Sequence, residues 1–503
     1  MFSFIVSWSI DTCVQNCGLG GFIEIEMTIL DIVGSGFRKC GLQLVLFFYI
    51  AGLTMQFPIW QNMIINRLCL ERYRTDVCDN LSENPEAESD VQMVSSRLLT
   101  LQSIFTDIPG AIAALLLGAL SDTIGRKRVL MFPCCGSLLV SLFLVVQSIV
   151  PVVSLPLVIM SCFIFGVGGG IQTFMTTAVN IITDNTPVEK RAVRISRIMP
   201  FFGLGMIVGM LSSGILPQFL SITQVYLLFA ASQFFVVAIV YLFIDETLPK
   251  DEAASSNDGV VKEIKDRKNS RLGVVMDSIE LVWSSLTSGI QVLTSKENRQ
   301  FRTVLIVVLV TGMIGNASSM VEFNLLLLYT KRAPFAWSPK LYGIFSAFKS
   351  LMGIIGQAVG TGVVLGLLGE RSLKKDFRLL QYGSISAILV CLFTAYATST
   401  KLLMFAAIFV LIGAPSKSAN GSIVSRLVSP SKKGAFMALG SFLNTLTTPI
   451  LGGIYNGIYA SSVDTRPGLV FVIMAVVHAF AFFAVRYALT KTPDSNSIGE
   501  KTN

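Results

Sequence analysis

The stretch Gly118-Ala-Leu-Ser-Asp122-Thr-Ile-Gly125-Arg126-Lys127-Arg128 decides the fold, because it is a short basic turn between apolar residues 112–120 and 129–150. Glycine at position 118 would let two helices approach closely, and glycine at 125 permits a tight turn. The carboxylate of Asp122 can accept hydrogen bonds from a helix end or an arginine. Because Arg126 and Arg128 resist crossing a bilayer, the stretch predicts a hinge between two membrane spans. The alternative is a plain basic loop that only fixes orientation.

The composition indicates the class of protein. Of 503 residues, 52% are hydrophobic and 14% are charged, with a mean hydropathy of +0.68. Soluble domains carry about 25% charged residues, so we expect a polytopic membrane protein. A net charge of +8 would suggest nucleic acid for a soluble chain, but these basic residues lie in short loops between apolar runs. We therefore expect no nucleic-acid partner, and we also expect no cofactor. No metal is expected, since the nine cysteines show no zinc-type pairing.

Twelve apolar segments are each long enough to cross a hydrocarbon core of about 30 Å. The pattern predicts an all-α membrane protein with six-helix halves at 41–245 and 303–489, a cytosolic linker at 246–302, and tails at 1–40 and 490–503. Two halves with a site between them are typical of secondary transporters. The predicted spans are 41–65, 98–120, 129–150, 153–182, 198–220, 222–244, 303–329, 341–368, 379–398, 402–424, 435–459 and 468–489.

The positive charges predict the orientation of the chain. An even number of spans places both termini on one side, together with the linker. That side collects about 28 Lys and Arg residues and the opposite side about 9, so both termini are predicted to be cytosolic. Residues 1–40 then form a cytosolic tail that can touch the membrane surface, although Met27 would serve equally well as the start of the chain.

The first predicted outer loop, residues 66–96, is long and acidic. It contains the sequon Asn80-Leu-Ser82, which lies on the predicted outer side, so we expect a glycan on Asn80. Cys69 and Cys78 lie in the same loop. They can either pair with each other or remain two reduced thiols.

Several motifs resemble known transporters. The opening stretch is similar to the loop between the second and third helices of the major facilitator superfamily, G-x-x-x-D-x-x-G-R-[RK]-[RK]. Residues 45–490 also resemble the proton-coupled folate transporter family, solute carrier family 46. The motifs that carry this second resemblance are Leu53-Thr-Met-Gln56-Phe-Pro58, Gly118-Ala-Leu-Ser-Asp122, Asp245-Glu246-Thr247-Leu248, Pro334-Phe-Ala-Trp337-Ser-Pro-Lys340-Leu-Tyr-Gly343, Leu427-Val428 with Lys433-Gly434-Ala435-Phe436, and Phe442-Leu-Asn444.

The resemblance implies the major facilitator superfamily fold and the uptake or lysosomal export of organic anions, often driven by protons. It implies a conformational switch formed by Gly118, Asp122, Gly125, Arg126 and Arg128. Four key positions of the folate carrier hold other residues here, so folate is not the expected substrate. They are Gly170, Met199, Ser319 and Gly421, which stand where that carrier has an aspartate, a glutamate, a histidine and an arginine.

Ionisable residues deep in a membrane span are costly, which makes each of them a functional candidate. Glu322 and Asp107 are the candidate proton-titrating groups, because desolvation favours the protonated form of a carboxyl. In the alternative interpretation, Glu322 pairs statically with Lys349 on the next helix or reaches the outer water. Lys417 stands one helical turn before the family's arginine position, so it is the candidate anchor for an anionic solute, with a structural ion pair as the alternative.

Polar side chains inside the spans are candidates for lining the solute cavity by hydrogen bonding. They are Gln56, Gln61, Asn62, Gln172, Asn324 and Asn444. His478, the one histidine of the chain, is expected to be a packing residue.

The combined interpretation is a secondary active transporter of a small organic, anionic solute that works by alternating access with protons, in contact with membrane lipid. The alternatives are a facilitative uniporter without ion coupling and a receptor that binds solute without moving it. An enzyme is not expected, because no nucleophile, base and acid can be assembled around a lone buried histidine. The cytosolic parts carry no convincing sorting signal, which favours the plasma membrane over the lysosomal membrane.

Overall fold

The computed structural model describes residues 27–79, 81–150, 155–247, 271–295, 301–360 and 373–491. These residues are almost entirely helical and include no β-strand. The helices before the linker are α1 Met27–Arg72, α2 Thr75–Asp79, α3 Pro85–Ile124, α4 Arg126–Ile149, α5 Leu155–Val167, α6 Gly170–Asp184, α7 Val188–Ile215 and α8 Ile222–Phe243. The helices that follow are α9 Arg271–Thr294, α10 Arg302–Lys331, α11 Pro339–Ile355, α12 Leu373–Ala395, α13 Thr400–Ile408, α14 Val410–Gly413, α15 Ser416–Leu427, α16 Pro430–Ser462 and α17 Leu469–Thr490.

Eleven helical segments of the described chain are long and apolar enough to cross a membrane, in agreement with eleven of the twelve predicted spans. The remaining prediction, 341–368, begins with α11, which runs into a π-helical turn at Gly356–Gly360. The second part of this predicted span lies outside the described residues. The predicted all-α membrane fold is confirmed.

Two predicted spans are interrupted helices. The segment 153–182 is divided into α5 and α6 at Gly169 and Gly170, which have positive φ angles of 87° and 55°. Gly168 just before this break packs against Gly136 of α4, where an added Cβ would come within 3.3 Å of the backbone. The segment 402–424 is divided into α13, α14 and α15. Such breaks leave backbone groups that can only be tolerated inside protein or beside water.

The first outer loop is much shorter than the predicted 66–96, because α1 continues to Arg72 and α3 already begins at Pro85. A disulfide joins Cys69 near the end of α1 to Cys78 in α2. This bond resolves the two alternatives left open by the sequence. Asn80, the predicted glycosylation site, lies outside the described residues.

The predicted linker contains a helix that was not anticipated. Helix α9 packs against α16, and its residue Gly289 approaches so closely that an added Cβ would lie 2.8 Å from the Ala435 carbonyl oxygen. Val292 of α9 is fully buried in the apolar cluster formed by the helices after the linker. The linker is therefore partly a docked element of the bundle.

Three apolar clusters form the core. One contains residues from helices on both sides of the linker, including Trp60, Leu99, Leu325 and Tyr459, and lies at the end of the bundle that carries the Cys69–Cys78 bond. We call this end the disulfide end. At the opposite end, which carries the turn at residues 125–128 and is called the basic end, the helices before and after the linker have separate clusters. Within the part of the chain that the structure describes, the two sets of helices thus share an apolar cluster at the disulfide end and have separate clusters at the basic end.

Candidate substrate-binding site and gates

The disulfide end is closed where α1 meets α10. The side-chain amide of Gln61 donates to the backbone oxygen of Asn324 at 3.0 Å, and Gln61 is buried. One turn away, the rings of Phe57 and Phe323 lie 5.3 Å apart. Gln61 and Asn324, both predicted to line the cavity, therefore meet in this seal.

A second seam of the disulfide end joins α3 to α16. The Tyr459 hydroxyl donates to Gln92 at 2.7 Å, and Gln92 in turn donates to the Leu328 carbonyl oxygen at 3.3 Å. Asn456 donates to the Thr100 hydroxyl at 3.0 Å. Ser89 and Asp464 also share a hydrogen bond. The ends of α3, α10 and α16 are held together here by polar contacts among apolar residues.

Midway along the bundle, charged residues from three helices after the linker come together. The ammonium of Lys349 donates to a Glu322 carboxylate oxygen at 2.5 Å, and the two side chains are 23% and 13% exposed. Lys417 lies close enough to Lys349 for their charges to interact, and His478 lies near Glu322. The pairing that the sequence offered as an alternative for Glu322 is the arrangement present in this conformation. The three groups together carry one excess positive charge.

The side chain of Lys417 occupies an open face of α15. It is exposed, and among the described residues no carboxylate lies within ion-pair distance of it. Four residues on, an added Cβ at Gly421 would meet nothing within 4 Å. Because residues four apart share a helix face, Lys417 points toward the same open space as the position at which the family has its arginine.

An aromatic cavity of about 220 Å³ lies among the helices before the linker. The side-chain oxygens of Gln56 and Gln102 are buried there and accept no hydrogen bond from any residue that the structure describes. Gln102 and Trp60 were missed by the sequence analysis, and a lone glutamine inside an apolar run is the signal that would have found Gln102. The lining residues are Leu53, Gln56, Phe57, Trp60, Gln102, Thr106, Val140, Leu144, Ser161, Cys162, Phe165 and Ile171.

The structure places the remaining predicted site residues, Asp107, Asn62, Asn444 and Gln172, in different surroundings. Asp107 lies beside the cavity, close to Cys162, and the described residues show no ion pair to its carboxylate. Asn62 and Asn444 each have a buried side-chain oxygen that has no hydrogen-bond partner within the described ranges. Gln172 lies apart from the cavity amides and donates to the Ser441 hydroxyl of α16 at 2.7 Å.

The basic turn links three helix ends. Gly125 has φ 109°, and an added Cβ would collide with the Glu246 carboxylate. The same carboxylate accepts from the backbone nitrogen of Arg126 at 2.7 Å. The Arg126 side chain pairs with Asp184 at the end of α6, at 3.0 Å, and donates to Ser121 at 2.8 Å.

Asp184 and Glu246 were not among the predicted switch residues, although Glu246 stands in a quoted motif. Around Gly118 the structure differs from the expected close helix approach, since an added Cβ would meet nothing within 4 Å. Arg128 is exposed. The backbone of Asp122 belongs to α3, and its side chain lies outside the described residues.

The described residues form a helical bundle that is closed at one end and carries charged and amide side chains midway, which is typical of a multi-pass secondary transporter. The chain belongs to the Major Facilitator Superfamily, whose family model matches residues 42–416. This assignment confirms the fold class and the first of the two predicted resemblances.

Named relatives confirm the second resemblance, to solute carrier family 46. The lysosomal proton-coupled steroid conjugate and bile acid symporter SLC46A3 of Gallus gallus is 25% identical over 447 residues, which cover 86% of this chain and 90% of the relative. The proton-coupled folate transporter of Bos taurus is 24% identical over 439 residues, with 84% and 86% covered. The crystal structure of the human organic anion transporter MFSD10 (TETRAN) has a TM-score of 0.56 at 17% identity, with 88% and 97% covered. Because the chain belongs to the Major Facilitator Superfamily and these two sequence relatives are transporters, it is a secondary transporter rather than an enzyme.

Proposed function

We propose that the protein moves a small organic anion together with protons by alternating access. The observation that carries the proposal is the Glu322–Lys349 pair at 2.5 Å beside the unpaired Lys417. A site with two ammonium groups and one carboxylate has a single excess positive charge while the carboxylate is ionised. It has two when the carboxylate is protonated, so it attracts anions more strongly in acid.

The proposed cycle uses this change of charge. Protonation of Glu322 breaks its pair with Lys349, which then joins Lys417 in binding the anionic group of the solute. Loss of the proton on the other side re-forms the pair and withdraws one of the two ammonium groups from the solute. The pair that looks static in one conformation thus becomes the step that links protons to solute. Asp107, beside the aromatic cavity, is the alternative to Glu322 as the proton-titrating group.

The aromatic cavity suits the apolar body of the solute. Phe57, Trp60 and Phe165 are among its lining residues, and the oxygens of Gln56 and Gln102 can accept hydrogen bonds from hydroxyl or amine groups. We propose that the solute places a rigid ring system with a hydrogen-bond donor in this cavity and its anionic group at Lys417. The name of the chicken relative gives steroid conjugates and bile acids as its solutes, and we propose a solute of that class rather than folate.

We further propose the arrangement in the membrane that the sequence predicts, with two six-helix halves at 41–245 and 303–489 and both termini in the cytosol. The basic turn with Gly118, Asp122, Gly125, Arg126 and Arg128 then works as the cytosolic switch. The sequence favours the plasma membrane, whereas the name of the chicken relative places that protein in lysosomes. In either membrane the disulfide end then faces away from the cytosol, so protons that enter with the solute from that side move toward the cytosol.

Uptake into liposomes containing the purified protein tests the proposal. An inward proton gradient should stimulate uptake of a labelled steroid sulfate, and Glu322→Gln should abolish the stimulation. Lys417→Ala should raise KM at least several-fold, whereas Lys401→Ala, which changes an exposed lysine at the start of α13, serves as the matched control.

The outcomes separate the alternatives. Uptake that ignores pH in the unaltered protein would support the facilitative uniporter. Binding of the steroid sulfate without any uptake would support the receptor. Unchanged pH stimulation in Glu322→Gln would remove Glu322 and leave Asp107 as the remaining candidate.

A further inference from the structure

Glu88 is a buried carboxyl group that the proposed cycle does not use. It lies in the first turn of α3 at the closed disulfide end and is 3% exposed. A single hydrogen bond to it is found among the described residues, from Gln92 at 3.3 Å. Gln92 is the residue that ties α3 to Tyr459 of α16 and to Leu328 of α10. The carboxyl group therefore belongs to the seam that must open in an alternating-access cycle.

The groups that face Glu88 come from helices after the linker. Lys331 and Arg332, at the end of α10, are its nearest charges, and Tyr459 of α16 also interacts with it. Neither cation reaches ion-pair distance, since no salt bridge joins Glu88 to a described residue. One Arg332 nitrogen is itself buried without a hydrogen bond. The ionised carboxylate would thus be buried with one long hydrogen bond and no contact partner.

This geometry decides which form of Glu88 the closed seam accepts. An ionised carboxylate is strongly disfavoured in a buried site unless it is paired and well hydrogen-bonded. A protonated carboxyl is neutral and can still share a hydrogen bond with Gln92. The attraction from Lys331 and Arg332 works in the opposite direction but acts over more than contact distance. Desolvation is therefore the larger of the two effects, and closing the seam favours proton uptake.

We propose that protonation of Glu88 controls the gate at the disulfide end. This gate closes readily once Glu88 is protonated. In the open gate Glu88 would be hydrated and ionised near neutral pH. Acid on this side then stabilises the closed gate, and neutral pH favours opening. The proposal rests on the proposed function only in assuming that this gate opens.

Distances between spin labels across the gate test the proposal without measuring transport. Labels at Glu86→Cys and Ser461→Cys, both exposed positions on α3 and α16, would be attached to the purified full-length protein in lipid nanodiscs. We expect mainly short distances at pH 5.5 and a growing long-distance population at pH 8. In Glu88→Gln the short distance should dominate at both pH values. Asp90→Asn, which removes an exposed partner of Arg72, is the matched control and should keep the full response.

A second variant keeps the test decisive if Glu88→Gln folds poorly. Arg332→Gln removes a nearby positive charge but leaves the carboxyl in place, so the midpoint of closure should move to higher pH. A packing role for Glu88 alone predicts no such shift. The proposal is overturned if the unaltered protein shows no pH response, if acid opens the gate, or if Glu88→Gln retains the response. Because the readout is conformational, a failure here is distinguishable from a failure of proton-coupled uptake.

Discussion

Breaking the ion pair between Glu322 and Lys349 should cost stability in a way that can be measured and assigned. Two unit charges about 4 Å apart attract by about 4 kcal/mol at an effective dielectric constant of about 20, and these two are 2.5 Å apart. Removing one partner of a fully buried pair costs about 3–5 kcal/mol, because the other charge is left uncompensated. Since the side chains are 13% and 23% exposed, water compensates part of this. We expect a loss of about 2–4 kcal/mol for each single variant.

The assay is a double-mutant cycle in purified protein, with Glu322→Gln, Lys349→Met and the double variant. The double variant should lose clearly less than the sum of the single losses, with a coupling energy above about 1 kcal/mol. Lys401→Met on the surface of α13 should change stability by less than about 0.5 kcal/mol and sets the background. Uptake of a labelled steroid sulfate at pH 5.5 and 7.4 is then measured for the unaltered protein, the two single variants of the pair and the double variant.

Stability and uptake together distinguish a purely structural ion pair from one that couples protons to the solute. If the double variant regains both stability and acid-stimulated uptake, the pair is only structural and Glu322 does not carry the coupled proton. If it regains stability but its uptake no longer responds to pH, the pair is the coupling element. A coupling energy below about 0.5 kcal/mol would show that the two groups do not interact as the structure indicates.

Three further outcomes are expected, two from the structure and one from the sequence. Gly125→Ala should lower the amount of folded protein, with a cost of roughly 1–3 kcal/mol from the positive φ angle, whereas Gly118→Ala in open helical surroundings should be neutral or slightly stabilising in thermal unfolding. Ser89→Cys with Asp464→Cys should form a disulfide under mild oxidation and block uptake until reduced, as seen by gel mobility and transport. Asn80→Gln should abolish a glycosidase-sensitive shift in mobility, and a wild-type protein without that shift would contradict the predicted glycan.

The spans could be predicted because a run of apolar residues is by itself sufficient for a membrane helix. Depth along a helix is also countable at about 1.5 Å per residue, which is why Glu322 and Lys349 could be named as possible partners. Rotation about the helix axis and helix breaks are decided by tertiary packing, so Gln61 was expected in the cavity and is found in the seal. Gln102 was overlooked for the same reason, because one glutamine in an apolar run does not reveal which face it occupies.

Helix α9 was missed for a different physical reason. Its apolar residues are interleaved with serines and with Gly289. Because this composition is typical of a polar linker, it does not predict a packed helix unless the docking partner is known. The glycine that lowers helix propensity is the residue that permits contact with the Ala435 backbone. The feature that weakened the sequence signal is thus the one that tertiary structure requires.

The two proposed proton sites differ in which side of the membrane can reach them. When the disulfide end is open, acid on that side can protonate both Glu88 and Glu322. When it is closed, Glu88 is 3% exposed inside the seam, and only Glu322 remains near the open face occupied by Lys417. Glu88 would then carry its proton back each time the gate reopens, while Glu322 releases its proton to the basic end with the solute. The two proposals together require a coupling of one proton per solute, although two carboxyl groups titrate in every cycle.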